Sequence, residues 1–123
     1  VFLPLITDHR NCQIEFLADH GRPLRRNRYQ IGEPSGGRPI AAPALALLLM
    51  PLVGFDGDGN RLGNGAGDYD RWLACRRDTR GAPLLVGLAF ECQRCAVIAP
   101  QEHDVALDAV ITENGLQLFA SRR

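Results

Sequence analysis

Apolar residues along the chain come in short blocks separated by polar, glycine- and proline-rich stretches, and the blocks differ in period. Val1 to Ile6 (VFLPLI) is an apolar run ending near Thr7 and Asp8, and Gln13 to Leu17 (QIEFL) alternates polar with apolar. Both predict strands, joined as a hairpin or lying as neighbours. Ala41 to Phe55 (AAPALALLLMPLVGF) is continuously apolar without alternation, the pattern of a central parallel strand covered on both faces, with a helical turn expected over Pro43 to Leu47. Asp68 to Asp78 (DYDRWLACRRD) spaces Tyr69, Trp72, Leu73 and Cys75 as an amphipathic helix would. Its acidic start and its basic end at Arg76 and Arg77 suit the helix dipole.

Gly81, Ala82 and Pro83 interrupt the chain before a second fully apolar run, Leu84 to Phe90 (LLVGLAF). Strand, loop, helix and strand in that order make one βαβ unit. From Cys92 the pattern predicts a short helical or irregular piece ending at Pro100, then a polar QEHD turn. A strand through LDAVI, a turn at Glu113 to Gly115 and a last apolar stretch LQLF complete the chain. The predicted fold class is α/β: one domain over 1–123 with a Rossmann-like open, mostly parallel sheet and flanking helices in three layers.

Composition narrows the partners. Fourteen basic residues against fourteen acidic give a formal charge of zero, so no global field draws the chain to nucleic acid or to an anionic membrane. The longest apolar run is too short to span a bilayer and is broken by Pro43 and Pro51. Neither nucleic acid nor membrane is expected as a partner, and a cytoplasmic location is. Cys12, Cys75, Cys92 and Cys95 lack the spacing of a dense disulfide framework, so free thiols are expected. The chain opens on Val1 inside an apolar run with no lead-in, as if a beginning were missing or removed.

Three stretches carry candidate chemistry. The loop GRPLRRNRYQIGEPSGGRP holds Arg22, Arg25, Arg26, Arg28 and Arg38, either a clamp for phosphate or carboxylate or a solvated basic loop. Cys92-Gln-Arg-Cys95 has ligand spacing for zinc, but no second such pair exists to complete a site. Within Met50 to Leu73 (MPLVGFDGDGNRLGNGAGDYDRWL), residues 57–67 concentrate Gly57, Gly59, Gly63, Gly65 and Gly67, five of the chain's 13 glycines. Crowded glycines between a strand and a helix bare backbone N–H groups to a phosphate. The loop fits neither the P-loop nor the dinucleotide fingerprint. Asp56, Asp58 and Asn60 imitate the start of a calcium loop, but Arg61 and Gly67 stand at the sixth and twelfth positions, and calcium is rejected. The Asp-Gly pairs read instead as tight turns.

The same stretch closely resembles the P-x-x-a-F-D-x-x-G-x-R-L-G-x-G-x-G-[aromatic]-Y-D-R-x-L signature of the 5-formyltetrahydrofolate cyclo-ligase (5,10-methenyltetrahydrofolate synthetase) family. NRYQIGEP at Asn27 to Pro34 is similar to that family's N-x-x-x-I-x-E-P segment, and LAFECQ, P-x-E-x-D at Pro100 to Asp104 and LDAVITENG resemble its tail. The resemblance implies an ATP- and magnesium-dependent cyclisation of 5-formyltetrahydrofolate to the methenyl form, releasing ADP and phosphate. Phosphorylation of the formyl oxygen makes the leaving group for attack by the second folate nitrogen. It also implies a fold resembling the NagB/RpiA/CoA-transferase-like one, and a preceding helical segment not found before Val1.

Carried onto this chain, the resemblance makes Arg61, Leu62, Gly63, Asn64, Gly65, Ala66, Gly67, Asp68 and Tyr69 the ATP-binding loop, with Arg61 and Tyr69 in catalytic roles. Asn64, Gly65, Ala66, Gly67 and Asp68 border the reduced folate, and Asp70 and Asp104 hold magnesium. Asp68 stands where the family has an aromatic residue. A carboxylate about 4 Å from a phosphate costs on the order of 4 kcal/mol at an effective dielectric of about 20. A truncated or degenerate member that binds nucleotide or folate without turnover is therefore the alternative expectation.

Overall fold

The computed structural model describes residues 1–8, 13–63, 69, 72–73, 83–102 and 104–120. Contacts divide the chain into two compact units, Val1–Ala41 and Ala42–Arg123.

In the first unit the two N-terminal runs form the expected pair. Strand β1 (Phe2–Asp8) lies antiparallel to β2 (Gln13–Ala18), with Leu3 opposite Leu17 and Ile6 opposite Ile14. Alternation in QIEFL directs Ile14 and Phe16 inward, and with Leu17 they are buried. The arginine-rich stretch expected as a loop contains three two-residue strands: β3 (Arg25–Arg26), β4 (Gly32–Glu33) and β5 (Pro39–Ile40). Strands β3 and β4 pair with each other, and β5 adds to the edge of β2. Asn27 is what closes the β3–β4 hairpin. Its Oδ1 accepts from the N–H groups of Tyr29 (2.8 Å) and Ile31 (3.1 Å), and its Nδ2 donates to Glu33 Oε1 at 3.0 Å. Such local side-chain bonds let polar sequence build a turn that periodicity does not announce.

The second unit is built on a four-stranded sheet. After a 3-10 turn at Ala42–Ala44 come β6 (Leu47–Met50), the short pair β7 (Gly54–Phe55) and β8 (Arg61–Leu62), then β9 (Leu84–Leu88), β10 (Ala109–Thr112) and β11 (Gly115–Leu118). The order is β11-β10-β9-β6, with β6, β9 and β10 parallel and β11 returning antiparallel through the turn after Thr112.

Leu48, Met50, Leu85, Gly87 and Val110 share the covered face, where Leu52 and Leu107 reach over Gly87. Fully burying a side chain of this size stabilises by about 1.5–3 kcal/mol. On the opposite face Val86 and Ala109 are buried. Around them Leu47, Leu49, Leu84, Leu88, Ile111, Leu116 and Leu118 are exposed by 41–73%.

Two expectations are corrected. The described residues do not form a three-layer, Rossmann-like α/β fold with flanking helices. Among them no helix reaches seven residues: the helical pieces are the 3-10 turns at Ala42–Ala44 and Glu91–Gln93 and an α-turn in which Leu73 N–H donates to the Tyr69 carbonyl at 2.9 Å. The sheets are small, of two to four strands. Glycine, proline and Asx residues direct the backbone hydrogen bonds into tight hairpins. The helix expected over Asp68 to Asp78 lies outside the described residues apart from Tyr69, Trp72 and Leu73.

Nor is the strand within Ala41 to Phe55 central. Among the described residues strand β6 is an edge of its sheet, with Leu48 and Met50 buried and Leu47 and Leu49 about half exposed. A strand apolar on both sides reads as doubly covered whether or not its second face is packed. Among the described residues no helix is long and apolar enough to cross a membrane.

Candidate functional site

The glycine-rich stretch begins as a hairpin. Phe55 pairs with Arg61 and Gly54 with Leu62, and residues 56–60, DGDGN, make the turn between them. Asp56 is the centre of that turn and is 1% exposed. Its Oδ1 accepts from the N–H groups of Asp58 (3.0 Å) and Asn60 (2.9 Å); its Oδ2 accepts from Asn60 Nδ2 (2.9 Å) and from the Ile98 N–H (2.9 Å). Burial raises the carboxyl pKa. The bonds from the Asn60 side chain and from the N–H groups of Ile98, Asn60 and Asp58 outweigh it and hold the group below its ordinary value. The turn is locked by its own aspartate, and among the described residues no group of three or more His, Cys, Asp or Glu is placed to hold a metal.

Gly59 turns the chain with φ +83°, a conformation that glycine adopts without penalty. Its carbonyl accepts from the Leu107 N–H at 2.8 Å. That bond lays the segment after Pro100 alongside the glycine stretch. Asp104, three residues before Leu107, is held within about 11 Å of this tie by chain length alone. It closes its own exposed turn: the Gln101 N–H donates to Asp104 Oδ2 at 2.9 Å, and the Asp104 N–H donates back to the Gln101 carbonyl at 3.1 Å.

Arg61 leaves the hairpin half-buried, and its guanidinium crosses Gly63 so closely that a Cβ there would lie 3.0 Å from Nη1. Cationic nitrogen and bare backbone thus meet at the exposed residues Leu62 and Gly63, where the loop begins. Tyr69 is half-buried and helical. Asn64, Gly65, Ala66, Gly67, Asp68 and Asp70 lie outside the described residues. Of the expected ATP and magnesium residues the structure therefore places Arg61, Leu62, Gly63, Tyr69 and Asp104. The Gly59–Leu107 bond ties the strand pair that carries Arg61 to the segment that follows Asp104.

A support for the hairpin went unread in the sequence. The segment after β9 folds as a 3-10 turn at Glu91–Gln93 and docks on β7: the Cys95 N–H donates to the Phe55 carbonyl at 2.7 Å, and Gln93 Nε2 donates to the carbonyls of Leu52 (3.3 Å) and Val53 (3.2 Å). Arg94 lies over the Phe55 ring, 4.8 Å from its centre, bonds Glu91, and donates to Gln117 at 2.9 Å. Bonds from Arg94 and from the Thr112 hydroxyl hold the Glu91 carboxyl below its ordinary pKa, and the Arg94 guanidinium is raised in turn by Glu91. A short helical or irregular piece was expected from Cys92, and LAFECQ belongs to the family resemblance, but neither announced the docking on β7. Cys92 and Cys95 are both free thiols, with Cys95 Sγ set against Gly54 and 3.6 Å from the Gln93 carbonyl.

The chain is 36% identical to mouse 5-formyltetrahydrofolate cyclo-ligase over 96 residues, 74% of this chain and 47% of the relative. It is 37% identical to the Haemophilus influenzae protein of the same name over 112 residues, 87% of this chain and 58% of the relative. The solution structure of Aquifex aeolicus 5,10-methenyltetrahydrofolate synthetase superposes with a TM-score of 0.78 at 28% identity, covering 99% of this chain and 59% of that one. A Mycoplasma pneumoniae 5,10-methenyltetrahydrofolate synthetase superposes with a TM-score of 0.64, covering 89% and 54%. This chain thus spans about half to three-fifths of the length of these relatives. The sequence profile of the 5-formyltetrahydrofolate cyclo-ligase family matches residues 1–113, and the chain belongs to that family.

Proposed function

We propose that this chain carries the nucleotide-binding part of an ATP-dependent ligase that cyclises 5-formyltetrahydrofolate to 5,10-methenyltetrahydrofolate with release of ADP and phosphate. The observation that carries the proposal is the Arg61 guanidinium set over the bare backbone of Gly63 at the mouth of the family's signature loop. Phosphoryl transfer is catalysed mainly by positioning and by neutralising charge on the transferred group. Arg61 supplies a fixed cation, and Gly63, Gly65 and Gly67 admit phosphate oxygens to the loop backbone. Tyr69, at the helical turn beyond the loop, is the second catalytic residue of the proposed site.

The residues present fit magnesium in part. Asp104 is exposed and spends Oδ2 on the Gln101 N–H, which leaves Oδ1 to face a cation. Asp70 is the second carboxylate of the proposed pair. A bound magnesium neutralises phosphate charge, and one or two carboxylates are its usual protein ligands. Leu62, Asn64, Ala66 and Asp68 complete the nucleotide loop, and residues 64–68 also border the reduced folate.

The test is ATP-dependent appearance of the methenyl chromophore from 5-formyltetrahydrofolate. No chromophore together with no ATP binding would overturn the proposal. Asp68 favours a second reading, binding without turnover, because an extra carboxylate opposes the phosphates. That reading expects ATP to bind and no chromophore to appear, and it expects Asp68→Tyr to tighten ATP.

A further inference from the structure

Beside the mouth of the glycine loop the second unit leaves an aromatic ring and two aliphatic side chains in water. Phe90, Val53 and Leu62 are exposed by 68, 60 and 45%. Strands β6 and β9 are parallel neighbours, so their carboxyl ends lie at one edge of the sheet. Val53 follows the end of β6 by three residues, and Phe90 follows the end of β9 by two. In open sheets of parallel strands, ligands bind beyond those ends.

Gln93 ties the two segments together. Its Nε2 donates to the Val53 carbonyl at 3.2 Å, its Oε1 accepts from the Phe90 N–H at 2.7 Å, and its own N–H donates to the Phe90 carbonyl at 2.9 Å. The Val53 N–H in turn donates to the Leu62 carbonyl at 2.7 Å. The Leu62 side chain is on the same side: its Cδ1 and the Gln93 carbonyl each lie 3.4 Å from where a Cβ at Gly54 would stand. Gly63, under the Arg61 guanidinium, is the next residue. A short chain of bonds thus leads from Phe90 to the point where the phosphates are proposed to enter.

These bonds hold the backbone of Phe90 on both sides and leave its ring bare. An aromatic face fixed in this way is a stacking surface for a flat heterocycle. It reads the face of that heterocycle and not its edge. The N–H and carbonyl groups of Phe90 and of Val53 are already bonded, and the side chains of Phe90, Val53 and Leu62 carry no donor or acceptor. We infer that Phe90 stacks on the base of the nucleotide whose phosphates meet Arg61 and Gly63, with Val53 and Leu62 as its apolar border, and that this subsite accepts adenine and guanine alike. The assignment rests on the proposed nucleotide loop. The pterin of a reduced folate is flat as well, but the link through Leu62 to Gly63 favours the ring that the phosphates carry.

The experiment titrates ATP, GTP and inorganic tripolyphosphate, each with magnesium, and 5-formyltetrahydrofolate alone, by calorimetry. The proteins are the chain and its Phe90→Ala, Phe90→Leu and Phe90→Trp variants. The Phe90 ring is exposed, so its replacement leaves the fold intact. Phe90→Leu keeps apolar bulk and removes the aromatic face alone.

ATP and GTP are expected to bind within about threefold of each other and about tenfold more tightly than tripolyphosphate, the worth of one stacked base. Phe90→Ala and Phe90→Leu bring both nucleotides down to tripolyphosphate, whose own affinity does not change, and Phe90→Trp keeps the preference. Equal binding of ATP and tripolyphosphate by the unaltered chain, or a nucleotide preference that survives Phe90→Ala, overturns the base subsite and leaves the phosphate loop standing. Loss of 5-formyltetrahydrofolate rather than nucleotide in Phe90→Ala overturns it too, and assigns the ring to the pterin. Affinities for ATP and GTP more than about tenfold apart overturn the tolerance for either purine. No binding of any of the three polyphosphates overturns the subsite together with the loop it rests on. If the nucleotides bind as expected and ATP yields no methenyl chromophore, the base subsite stands and the proposed reaction falls.

Discussion

Asn60 Nδ2 donates to Asp56 Oδ2 at 2.9 Å inside a turn where both residues are buried, so the loop that leads to Arg61 is braced from within. The same carboxylate reaches the Ile98 N–H, 42 residues along the chain. Removing it in Asp56→Ala strands four donors at once. Buried unsatisfied groups cost about 1–3 kcal/mol each, and with partial relaxation the total is expected near 3 kcal/mol. Urea unfolding of the variant measures it.

The pH dependence follows from the same bonds. The folded-state carboxyl of Asp56 is held below its ordinary 3.8, so the unfolded chain binds the proton first as pH falls. The stabilisation is fully present above the unfolded value and is lost as pH falls through the folded one. Unfolding midpoints are expected to drop steeply below roughly pH 4, and Asp56→Asn is expected to flatten the part of that slope that belongs to this group. Glu91, also lowered, acts in the same direction. An unchanged slope in Asp56→Asn would assign the acid loss elsewhere.

Much of this was legible in the sequence, for physical reasons. The Asp-Gly pairs announced a tight turn because few residues other than glycine tolerate the backbone that Gly59 adopts at φ +83°. The β1–β2 pair and the strands of LLVGLAF and LDAVI were visible in their periods. The partner of Asp56 at Ile98 was not, since a bond across 42 residues leaves no local pattern. The edge position of β6 was hidden because Leu47 and Leu49 are as apolar as Leu48 and Met50, and composition cannot tell a covered face from an open one. A short helical or irregular piece was expected from Cys92, but the docking of the Glu91–Gln93 turn was not, because it binds through Gln93 and Arg94, whose polar side chains read as ordinary surface.

Gly59→Ala carries two penalties. A Cβ would stand 2.8 Å from the Leu107 carbonyl and 3.0 Å from the Phe119 ring, and φ +83° strains any L side chain. The conformational part alone costs about 1–3 kcal/mol, and the contact with backbone leaves little room to relax. A fall in thermal midpoint of several degrees is expected, accompanied by faster amide exchange at Leu107, whose N–H bonds the Gly59 carbonyl. Exchange unchanged at Leu107 would mean that the turn tolerates the methyl.

Gln93→Ala tests the support beneath the hairpin. Its amide donates to the carbonyls of Leu52 and Val53, and its Oε1 accepts from the Phe90 N–H at 2.7 Å. The loss is expected at about 1–2 kcal/mol, because a half-exposed site lets water replace part of what is removed. Gln93→Glu keeps the acceptor for Phe90 but turns a carboxylate toward two carbonyls, so it should be the worse of the two. Denaturation of both variants settles their order.

Asp104→Asn isolates charge from shape at the proposed magnesium site. The asparagine oxygen still accepts the Gln101 N–H that now meets Asp104 Oδ2, so the turn persists and the thermal midpoint stays within about 2 °C of the parent. Magnesium-ATP affinity is expected to fall about tenfold, a typical effect of losing one charged ligand contact, and Asp70→Asn should match it. With the metal removed by chelator, ATP should bind the parent and both variants alike. Arg61→Ala behaves differently: its guanidinium meets the phosphates directly in the proposed site, so it should weaken ATP with and without the metal. Equal losses for Asp104→Asn in the two conditions would move that carboxylate away from the metal, and unchanged titrations throughout would remove Asp70 and Asp104 from the site altogether.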